Sequence, residues 1–541
     1  MRLVIVHYHL RPGGVRRVIE LATPSLIREF GGEVEEVVIA TGEPPDKRWE
    51  QLFRRNLDPT PVRLLVEPSF KYASEQSQSP LQITKRIRAT LDDLFNNAMP
   101  KDTLIWAHNL GVARNMLLSH ELANFCAIRG LPLVSHHHDW WFDNRWRRWS
   151  EMRLCGFRTP EAAARAIFPA SRSVRHLAIN RADALRLEKR LSKRAGWLPN
   201  LAERGKAPPA DKVRAARKWL RRQLPGSAGV LDGGVRRTRP APARTPALPG
   251  QRPIWLLPCR MLRRKNVAEA LLLTRWLRPE AWLVTTGGAS SADERAYYGA
   301  LEDNARRHGW PLRLGVLQGD ETHKPIIPEL LAASEAILLT SIQEGFGLPY
   351  LEAAAANRPL IARIIPNIAP DLDKFGFAFP QSYRELLIEP DLFDWKAEQK
   401  RQERLYKKWR AALPRQAQRF AEKPALLAGA KVPVPFSRVT LAAQIEILSH
   451  ATEKSWQVCL PLNPFLDDWR KRAEATRLRS TPWPRTADKW LSGAAYARRF
   501  REIVFSEVET RITARAPIHL QTDFVRENVR ADHLFPLLWE T

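Results

Sequence analysis

Between Ser341 and Pro359, two glycines and two glutamates are spaced in a way that suits binding of an anion that also carries hydroxyl groups. Gly345 and Gly347 fall in a predicted turn between a strand and a helix, where bare backbone amides can approach an anion. Glu344 and Glu352 are placed to accept hydrogen bonds from hydroxyl groups of the same ligand. Amides that hold phosphate beside carboxylates that hold sugar or ribose hydroxyls indicate a nucleotide-sugar site. The structural alternative is an ordinary turn with a glutamate near a helix start.

A second group of candidate residues is cationic and follows the predicted strand Ile254–Leu257. Arg260 and Lys265 are expected at the end of this strand, before a helix that Asn266 caps with Glu269 three residues on. A guanidinium that binds two oxygens at once, together with a point charge, would neutralise a departing diphosphate. Because arginine-rich loops recur in this protein, an ordinary surface loop stays open as the alternative.

Gly13 and Gly14 follow the first predicted strand and open a helix. The surrounding sequence lacks the G-x-G-x-x-G pattern of dinucleotide-binding enzymes, which disfavours a redox function. Glycines at this turn let the backbone come close to a ligand, although a Gly-Gly turn by itself is more often structural.

Three consecutive histidines, His136, His137 and His138, end another predicted strand and suggest a metal site. Successive side chains of a strand point to opposite faces, so the three cannot readily share one ion, and we expect no metal. His108 and Asn109 end the preceding strand and are predicted to face the same cleft as His138. For His136 and His137, a place in the core or in solvent remains the alternative.

Trp140 and Trp141 begin a segment in which tryptophans and arginines alternate as far as Trp149. Such a segment suits stacking on a sugar acceptor or contact with an anionic membrane. The alternative is a helix that buries its tryptophans while its arginines extend into solvent. We place Trp140 and Trp141, with His108 and Asn109, among the predicted acceptor or cleft residues.

Two further patterns bear on metal binding. Asp371-Leu-Asp373 matches a D-x-D metal motif, which is too short to argue from alone. The four cysteines form no C-x-x-C pair and no zinc spacing; they are Cys126, Cys155, Cys259 and Cys459. We therefore expect neither a disulfide scaffold nor a metal centre, and no cofactor.

Composition excludes several classes of protein. The chain has 541 residues, of which 44% are hydrophobic and 27% charged, as in globular rather than disordered proteins. No stretch approaches the roughly 18 apolar residues of a membrane-spanning helix, and the apolar start Met1–Leu10 is too short for a signal-peptide core. We expect a reducing, cytoplasmic setting, with peripheral contact at the inner face of the membrane as a further option.

The formal net charge of +28 indicates attraction to an anionic partner, and it is unevenly distributed. Residues 1–100 hold 14 basic and 13 acidic side chains, whereas 201–252 hold 13 and 3, and 391–541 hold 27 and 18. The last two ranges thus supply surpluses of 10 and 9, or 19 of the 28 charges. We interpret these as a diffuse surplus that suits an acidic membrane or polymer, separate from the few cations placed for a diphosphate.

Short apolar runs alternate with amphipathic segments in two blocks, which is typical of doubly wound parallel sheets. The first block predicts the strands Leu3–Val6, Val34–Ala40, Val62–Val66, Thr103–Ala107, Leu131–Ser135, Ala166–Pro169 and Trp197–Leu198. The second predicts Ile254–Leu257, Trp282–Thr286, Leu312–Leu317, Ala336–Thr340 and Leu360–Ile365. We therefore predict an α/β protein in which two Rossmann-like domains face a cleft, with ligands at the carboxyl ends of both sheets.

The segment from Glu344 to Ala353 resembles the E-x7-E segment of family 4 glycosyltransferases at every fixed position. It contains Gly345, Phe346, Gly347, Leu348 and Glu352. Asn357 stands where that family usually has glycine, and Arg363 where a small residue is usual. The family consists of retaining enzymes of the GT-B fold. Three further segments match the family's motifs in the same order along the chain. They are the turn at Gly13 and Gly14, the strand that ends in the three histidines, and the cationic loop that carries Arg260 and Lys265.

The resemblance implies transfer of a sugar from a nucleotide-diphosphate sugar to an acceptor hydroxyl with retention of configuration, by a hexosyltransferase-type enzyme of glycan, polysaccharide or glycolipid synthesis. It implies the catalytic residues His138, Arg260, Lys265 and Glu344, and the donor-binding residues Gly13, Gly14, Gly345, Phe346, Gly347, Leu348 and Glu352. The partners would be that donor and a glycan, lipid-linked or small-molecule acceptor, with no metal because two cations supply the positive charge.

Four segments follow from this interpretation. Residues 1–200 would form the acceptor-side domain, 201–252 a basic linker with a helix around Lys212–Leu224, 253–385 the donor domain, and 386–541 a basic helical extension of unknown role. Two alternatives remain open at this point. One is a non-enzymatic binder of anionic membrane or, less favoured, nucleic acid on a transferase scaffold; the other is another GT-B enzyme such as a nucleotide-sugar epimerase.

Overall fold

The computed structural model describes residues 1–143, 145–225, 252–289, 292–319, 323–424, 426, 431–507 and 512–540. Over these ranges the chain forms two parallel α/β domains and a helical extension that packs against both.

The first domain is built on a parallel sheet with seven strands in the described part of the chain. The strands are β1 (Arg2–His7), β2 (Glu36–Thr41), β3 (Val62–Val66), β4 (Thr103–His108), β5 (Leu133–His137), β6 (Val174–Ala178) and β7 (Ala195–Trp197). The helices are α1 (Gly14–Glu29), α2 (Lys47–Leu57), α3 (Pro80–Leu94), α4 (Met116–Arg129), α5 (Arg148–Leu154), α6 (Pro160–Ile167) and α7 (Arg181–Leu191). The order β3-β2-β1-β4-β5-β6-β7 reverses between β1 and β4, which is where ligands bind in such sheets.

The second domain repeats this plan after the connecting helix α8 (Ala210–Arg222). Its strands are β8 (Ile254–Leu257), β9 (Trp282–Thr285), β10 (Leu312–Arg313), β11 (Ala336–Leu339), β12 (Leu360–Arg363) and β13 (Gln381–Tyr383). Its helices are α9 (Val267–Leu277), α10 (Ala292–His308), α11 (Ile327–Ala333), α12 (Leu348–Ala355) and α13 (Ala369–Phe375). The order β10-β9-β8-β11-β12-β13 reverses between β8 and β11, so each domain has its own binding edge.

Helices cover both faces of each sheet, which explains why the strands are apolar almost without interruption. Leu3, Val4 and Ile5 in β1 are completely buried, and so are Ile337 and Leu338 in β11. Both Rossmann-like domains expected from the sequence are therefore confirmed.

The extension consists mainly of helices with one small antiparallel strand pair, β14 (Leu387–Ile388) and β15 (Val434–Pro435). The helices are α14 (Trp395–Ala412), α15 (Arg415–Gln418), α16 (Leu441–Ser449), α17 (Thr452–Cys459), α18 (Phe465–Glu474), α19 (Arg485–Leu491), α20 (Gly493–Val504) and α21 (Ala516–Asn528). Helices α16, α17 and α18 pack on α9, whereas α20 packs on α1 and α21 on α6 and α7. The extension thus joins the two domains, and part of it packs back across the first domain.

One predicted strand is wrong. Ala166–Pro169 is not a strand, because α6 runs to Ile167 and its apolar residues face the core. Thr159 caps this helix by accepting from the Ala162 amide, and Pro160 occupies its first turn, which are helix-start signals. The strand of this region is β6, where the polar residues Arg175 and His176 mask the apolar pattern.

Several predicted strand boundaries also differ by a few residues from those in the structure. The strand predicted over Leu312–Leu317 ends at Arg313, because Gly315 takes a left-handed φ of 63° and its amide donates to Thr285 Oγ1. In the linker, the predicted helix corresponds to α8, and the remainder from 226 to 251 lies outside the described residues.

The sequence suggested that Glu269 completes a capping box with Asn266, but no such box forms. Glu269 is completely buried, and both of its carboxylate oxygens accept from Arg363 Nη2 at 2.5 Å, while Tyr383 donates to the same carboxylate. Arg363 also binds Glu385 at 2.5 Å, so the residue that departs from the family pattern ties β12 to α9. The other departure, Asn357, has a left-handed φ of 50°, which asparagine tolerates where glycine is usual.

None of the helices in the described ranges is both long enough and apolar enough to cross a bilayer.

Replacing Arg363 with Met should destabilise the protein by about 3–5 kcal/mol, because Glu269 then keeps a buried charge without its partner. The double variant Arg363→Met, Glu269→Leu should be more stable than the single one, since neither charge remains. Urea unfolding followed by circular dichroism measures both. The exposed pair Glu403–Lys407 supplies the control, and Lys407→Met should leave the midpoint of unfolding nearly unchanged because water screens this pair. Equal losses for Arg363→Met and Lys407→Met would contradict the role of the buried pair.

Candidate active site

A cavity of about 1040 Å³ lies where the carboxyl ends of the two sheets face each other. Loops that follow β1, β4 and β5 line it from the first domain, and loops that follow β8 and β11 line it from the second. Of the predicted site residues, the cavity wall contains Gly13, Gly14, Asn109, His138, Arg260, Lys265, Glu344, Gly345, Phe346, Gly347, Leu348 and Glu352. The two switch points of the sheets thus form one shared site.

Glu344 is the centre of the polar contacts on the second-domain side. Lys265 Nζ binds its Oε1 atom, Ser341 Oγ donates to the same atom at 2.6 Å, and Arg264 Nη1 binds Oε2 at 2.9 Å. The Asn367 side chain donates to the backbone oxygen of Glu344 at 3.2 Å. These contacts join the loop after β8 to the loop after β11.

The surrounding cations decide the ionisation of Glu344. Burial raises the pKa of its carboxyl, but Lys265 and Arg264, with the hydrogen bonds from Lys265 and Ser341, outweigh burial and lower the pKa to about 2. The carboxylate is therefore ionised at neutral pH and holds both cations at the cavity wall. Arg264, which the sequence did not single out, belongs to this group, whereas Arg263 packs over the Tyr297 ring and binds Glu294.

Arg260 differs from its neighbours in having an exposed side chain at the cavity wall. Among the described residues it forms no ion pair, in contrast to Arg264 and Lys265. Its guanidinium is therefore available to an anionic ligand.

The glycines of the loop before α12 serve different purposes. Gly347 has a left-handed φ of 79° directly before the helix, a conformation that favours glycine. Gly345 approaches the first domain so closely that an added Cβ would lie 3.0 Å from the backbone oxygen of His138.

Gly13 and Gly14, in the turn after β1, are less constrained. Gly13 is extended, and a Cβ on Gly14 would meet no atom within 4 Å.

Glu352 lies one turn into α12 and borders the same cavity. Burial raises the pKa of its carboxyl, while Lys265 acts in the opposite direction. Within the described part of the chain it has no hydrogen-bond partner, which leaves its oxygens to a hydroxyl-bearing ligand.

The histidines separate by face, as strand alternation predicts. His137 points away from the cavity and its Nε2 lies 3.1 Å from His176 Nδ1. On the opposite face, one ring nitrogen each of His108, His136 and His138 lie within 4.8 Å of one another, a convergence that the sequence did not predict. His138 alone of these borders the cavity, and its Nε2 lies 3.1 Å from His108 Nδ1.

Burial keeps these imidazoles neutral. It lowers the pKa of His138 to about 4 despite the opposing effect of Asp139, and it lowers the pKa of His108 and His136 well below the usual value. At neutral pH, His138 therefore offers a neutral ring to whatever occupies the cavity.

Three predicted cleft residues lie elsewhere. Trp140 and Trp141 are 2% and 0% exposed and pack in the core of the first domain, where the Trp140 indole donates to Asp183 and stacks on His137. His108 is completely buried behind His138. These placements correct the prediction that all three residues line the cleft. The two adjacent tryptophans instead fill the core of the first domain.

Asp371 of the D-x-D motif connects the domains. It is 2% exposed in α13, and its Oδ2 accepts from the backbone amide of Arg181 at the start of α7, 3.0 Å away. Burial raises the pKa of its carboxyl to about 7. A carboxylate at a helix N-terminus interacts favourably with the helix dipole, so this contact holds the cleft walls together.

Sequence reasoning missed several residues of the cavity wall. Arg114, Arg145 and Arg148 contribute from the first domain, and Trp409 and Trp539 contribute from the extension. Only Arg145 and Arg148 had a local signal, the alternation of tryptophan and arginine. Trp409 and Trp539 lie outside the motifs in sequence, so no local pattern relates them to the site.

Residues 241–377 match the family model described as "Glycosyl transferases group 1". The chain carries a group 1 glycosyl transferase domain. The group 1 domain includes the cationic loop and the Glu344 loop.

One similar protein sequence and one similar solved structure extend this comparison. The chain is 24% identical over 372 residues to mannosylglucosyl-3-phosphoglycerate synthase of Petrotoga mobilis, with 67% of this chain and 64% of that protein covered. It thus spans less than two thirds of that relative. The structure is similar to HepE of Anabaena in complex with UDP-glucose, at 13% identity, 93% and 98% coverage and a TM-score of 0.50. This likeness concerns the fold and agrees with the two-domain GT-B arrangement.

The buried histidines make stability depend on pH. Burial lowers the pKa of His176 to about 4, against about 6.5 in an unfolded chain, so between these pH values the unfolded state binds more protons. This contribution is fully present above pH 6.5 and is lost as pH falls towards 4. Replacing His176 with Phe should therefore reduce the slope of unfolding free energy against pH by up to about 1.4 kcal/mol per pH unit.

Urea unfolding of wild type and His176→Phe at steps from pH 7.5 to 4.5 measures this difference. Parallel profiles across that range would show that His176 is protonated equally in both states.

Proposed function

We propose that this protein transfers a sugar from a nucleotide-diphosphate sugar to an acceptor hydroxyl. The observation that carries the proposal is the group of three cations, Arg260, Arg264 and Lys265, at the end of β8 and beside the Glu344 loop of a group 1 glycosyl transferase domain. Cations at this edge stabilise the negative charge that develops on a departing diphosphate.

Each part of the cavity has a role in this proposal. Arg260 binds the diphosphate directly, while Glu344 keeps Arg264 and Lys265 in place. The loop Gly345–Leu348 presents the start of α12 to phosphate or sugar, and Glu352 accepts from ribose hydroxyls. Neutral His138 contacts the transferred sugar from the first domain.

The reaction proceeds with retention in this proposal, as the resemblance to family 4 implies. The bond between the anomeric carbon and the β-phosphate oxygen breaks, and the acceptor oxygen bonds to the same face of that carbon. The acceptor proton passes to the departing phosphate oxygen, so no protein nucleophile takes part. The UDP-glucose complex of HepE and the name of the Petrotoga relative support a nucleotide-sugar donor and a sugar-containing product.

A panel of nucleotide sugars tests donor binding through thermal stabilisation and slow hydrolysis. Wild type should be stabilised by one donor, and Arg260→Ala or Glu344→Gln should lower its hydrolysis rate by about 10²-fold, the cost of removing one group that stabilises developing charge. Arg307→Ala, an exposed arginine outside the cavity wall, is the matched control and should behave as wild type. If no donor stabilises the protein, or if both site variants equal the control, the transferase proposal fails.

Metal independence and stereochemistry form a second prediction. Because the three cations supply positive charge without a metal, hydrolysis of the preferred donor should change less than twofold after treatment with EDTA. Proton NMR of the first product should give the anomeric configuration of the donor. Loss of activity restored by zinc would point to His108, His136 and His138 as ligands, and inverted product would exclude the retaining mechanism.

A further inference from the structure

The cavity has a second cationic region that the proposed function leaves unused. Arg114 follows β4, Arg145 and Arg148 follow β5, and Lys408 comes from α14 of the extension; all four border the cavity. They belong to the first domain and the extension, whereas the cations assigned to the diphosphate belong to the second domain. Positive charge therefore lines the acceptor side as well as the donor side.

Arg114 is the least balanced of these charges. It lies over the Tyr72 ring, with its guanidinium carbon 4.6 Å from the ring centroid. No described residue forms an ion pair with it. Burial, Arg148 and Arg145 lower its pKa and outweigh the opposing effects of Tyr72 and Glu151, so its charge is partly desolvated and repelled by the neighbouring arginines. A partly buried cation without a carboxylate is costly, and an anionic ligand would offset that cost.

The carboxylates around Arg145 provide less negative charge than their number suggests. Asp139 is ionised and accepts from Arg145 at 3.0 Å. Asp143 borders the same region, but burial and the nearby Asp183 raise the pKa of its carboxyl, which disfavours a full negative charge there. Arg148 is paired with Glu151 on its own helix. A surplus of positive charge therefore remains at Arg114.

The extension closes this region with aromatic rings. Trp409 and Trp539 stack with ring centroids 4.9 Å apart, and Trp146 meets Trp409 edge-on at 6.4 Å. All three border the cavity beside the arginines. An aromatic wall next to a guanidinium suits a compact ligand with an apolar face and a charged end.

We propose that the acceptor carries an oxyanion, a phosphate or a carboxylate, and that Arg114, with Arg145 and Arg148, binds it beside the wall formed by Trp146, Trp409 and Trp539. This inference rests on the proposed function, since it assigns the acceptor class of the same cavity. It also gives the extension a task, because Trp409 and Trp539 complete the acceptor side.

Size-matched probes test the acceptor class on the full chain. Calorimetric titrations use glycerol 3-phosphate, glycerate and glycerol, each in the presence of the nucleoside diphosphate that binds most tightly, so that phosphate cannot occupy the donor side. At least one charged probe should bind at least tenfold more tightly than glycerol. Preference for glycerol 3-phosphate identifies a phosphate acceptor, and preference for glycerate identifies a carboxylate acceptor.

Variants connect this binding to Arg114. Arg114→Gln should weaken the charged probe at least tenfold and leave nucleoside diphosphate affinity within twofold, whereas Arg114→Lys should retain part of the binding because the charge is kept. Arg158→Gln, an exposed arginine off the cavity, is the control and should match wild type.

Three results separate failure of this inference from failure of the proposed function. If the nucleotide binds but glycerol equals both charged probes, the acceptor inference is overturned and the transferase proposal stands. The same holds if Arg114→Gln, with unchanged thermal stability, binds the charged probe as wild type does. If no nucleoside diphosphate binds, both fall.

Discussion

The geometry of the cavity depends on one carboxylate enclosed with two cations. Glu344 binds Lys265 and Arg264, which lie on a different loop about 80 residues earlier in the chain. The backbone follows the same link, because Ile342 donates to the Arg264 oxygen at 2.9 Å and Thr340 Oγ1 donates to the Lys265 oxygen at 2.9 Å. Burying such a group gains little stability overall, but breaking it leaves a charge without a partner, so the three side chains keep one arrangement.

A second buried ion group supports the first from behind. Arg363 in β12 holds Glu269 of α9 and Glu385, and α9 begins immediately after the loop that carries Lys265. The position of the cationic loop is thus determined at both ends, by Glu344 in front and by α9 behind. In the first domain the equivalent support is uncharged, since His108 contacts His138 through neutral rings. Glu344 is thus supported by charged groups in the second domain, whereas His138 is supported by buried neutral rings in the first.

Local sequence signals predicted the parts of the site that lie directly after strands. Arg260, Lys265, Glu344 and Gly347 could be placed because a buried strand, a turn and a helix start occur within a dozen residues of each other. The strand β6 was missed because Arg175 and His176 interrupt its apolar run, and α6 was misread because a short alanine-rich run fits helix or strand equally. Trp140 and Trp141 show the same limit, since adjacent aromatic residues do not reveal which face is buried.

Contacts between distant segments have no local signature at all. Arg114 is unremarkable in its own loop, and only the folded chain brings it beside Arg148 and the extension. The extension was expected to be helical and basic, but its contribution to the cavity depends on packing across hundreds of residues.

The wall at Trp539 has a consequence for how the protein is made. The short helical turn Pro536–Leu538 packs on the loop of Lys265, and Glu540 accepts from the Leu441 amide at 3.1 Å. During synthesis both sheets can therefore form long before the residues that close the site have left the ribosome. Pairings this far apart in sequence are slow to form, because the loop that they close is long. A nascent chain would therefore hold two formed sheets beside a cavity whose wall at Trp539 is not yet in place, and that wall would be completed only after the sheets.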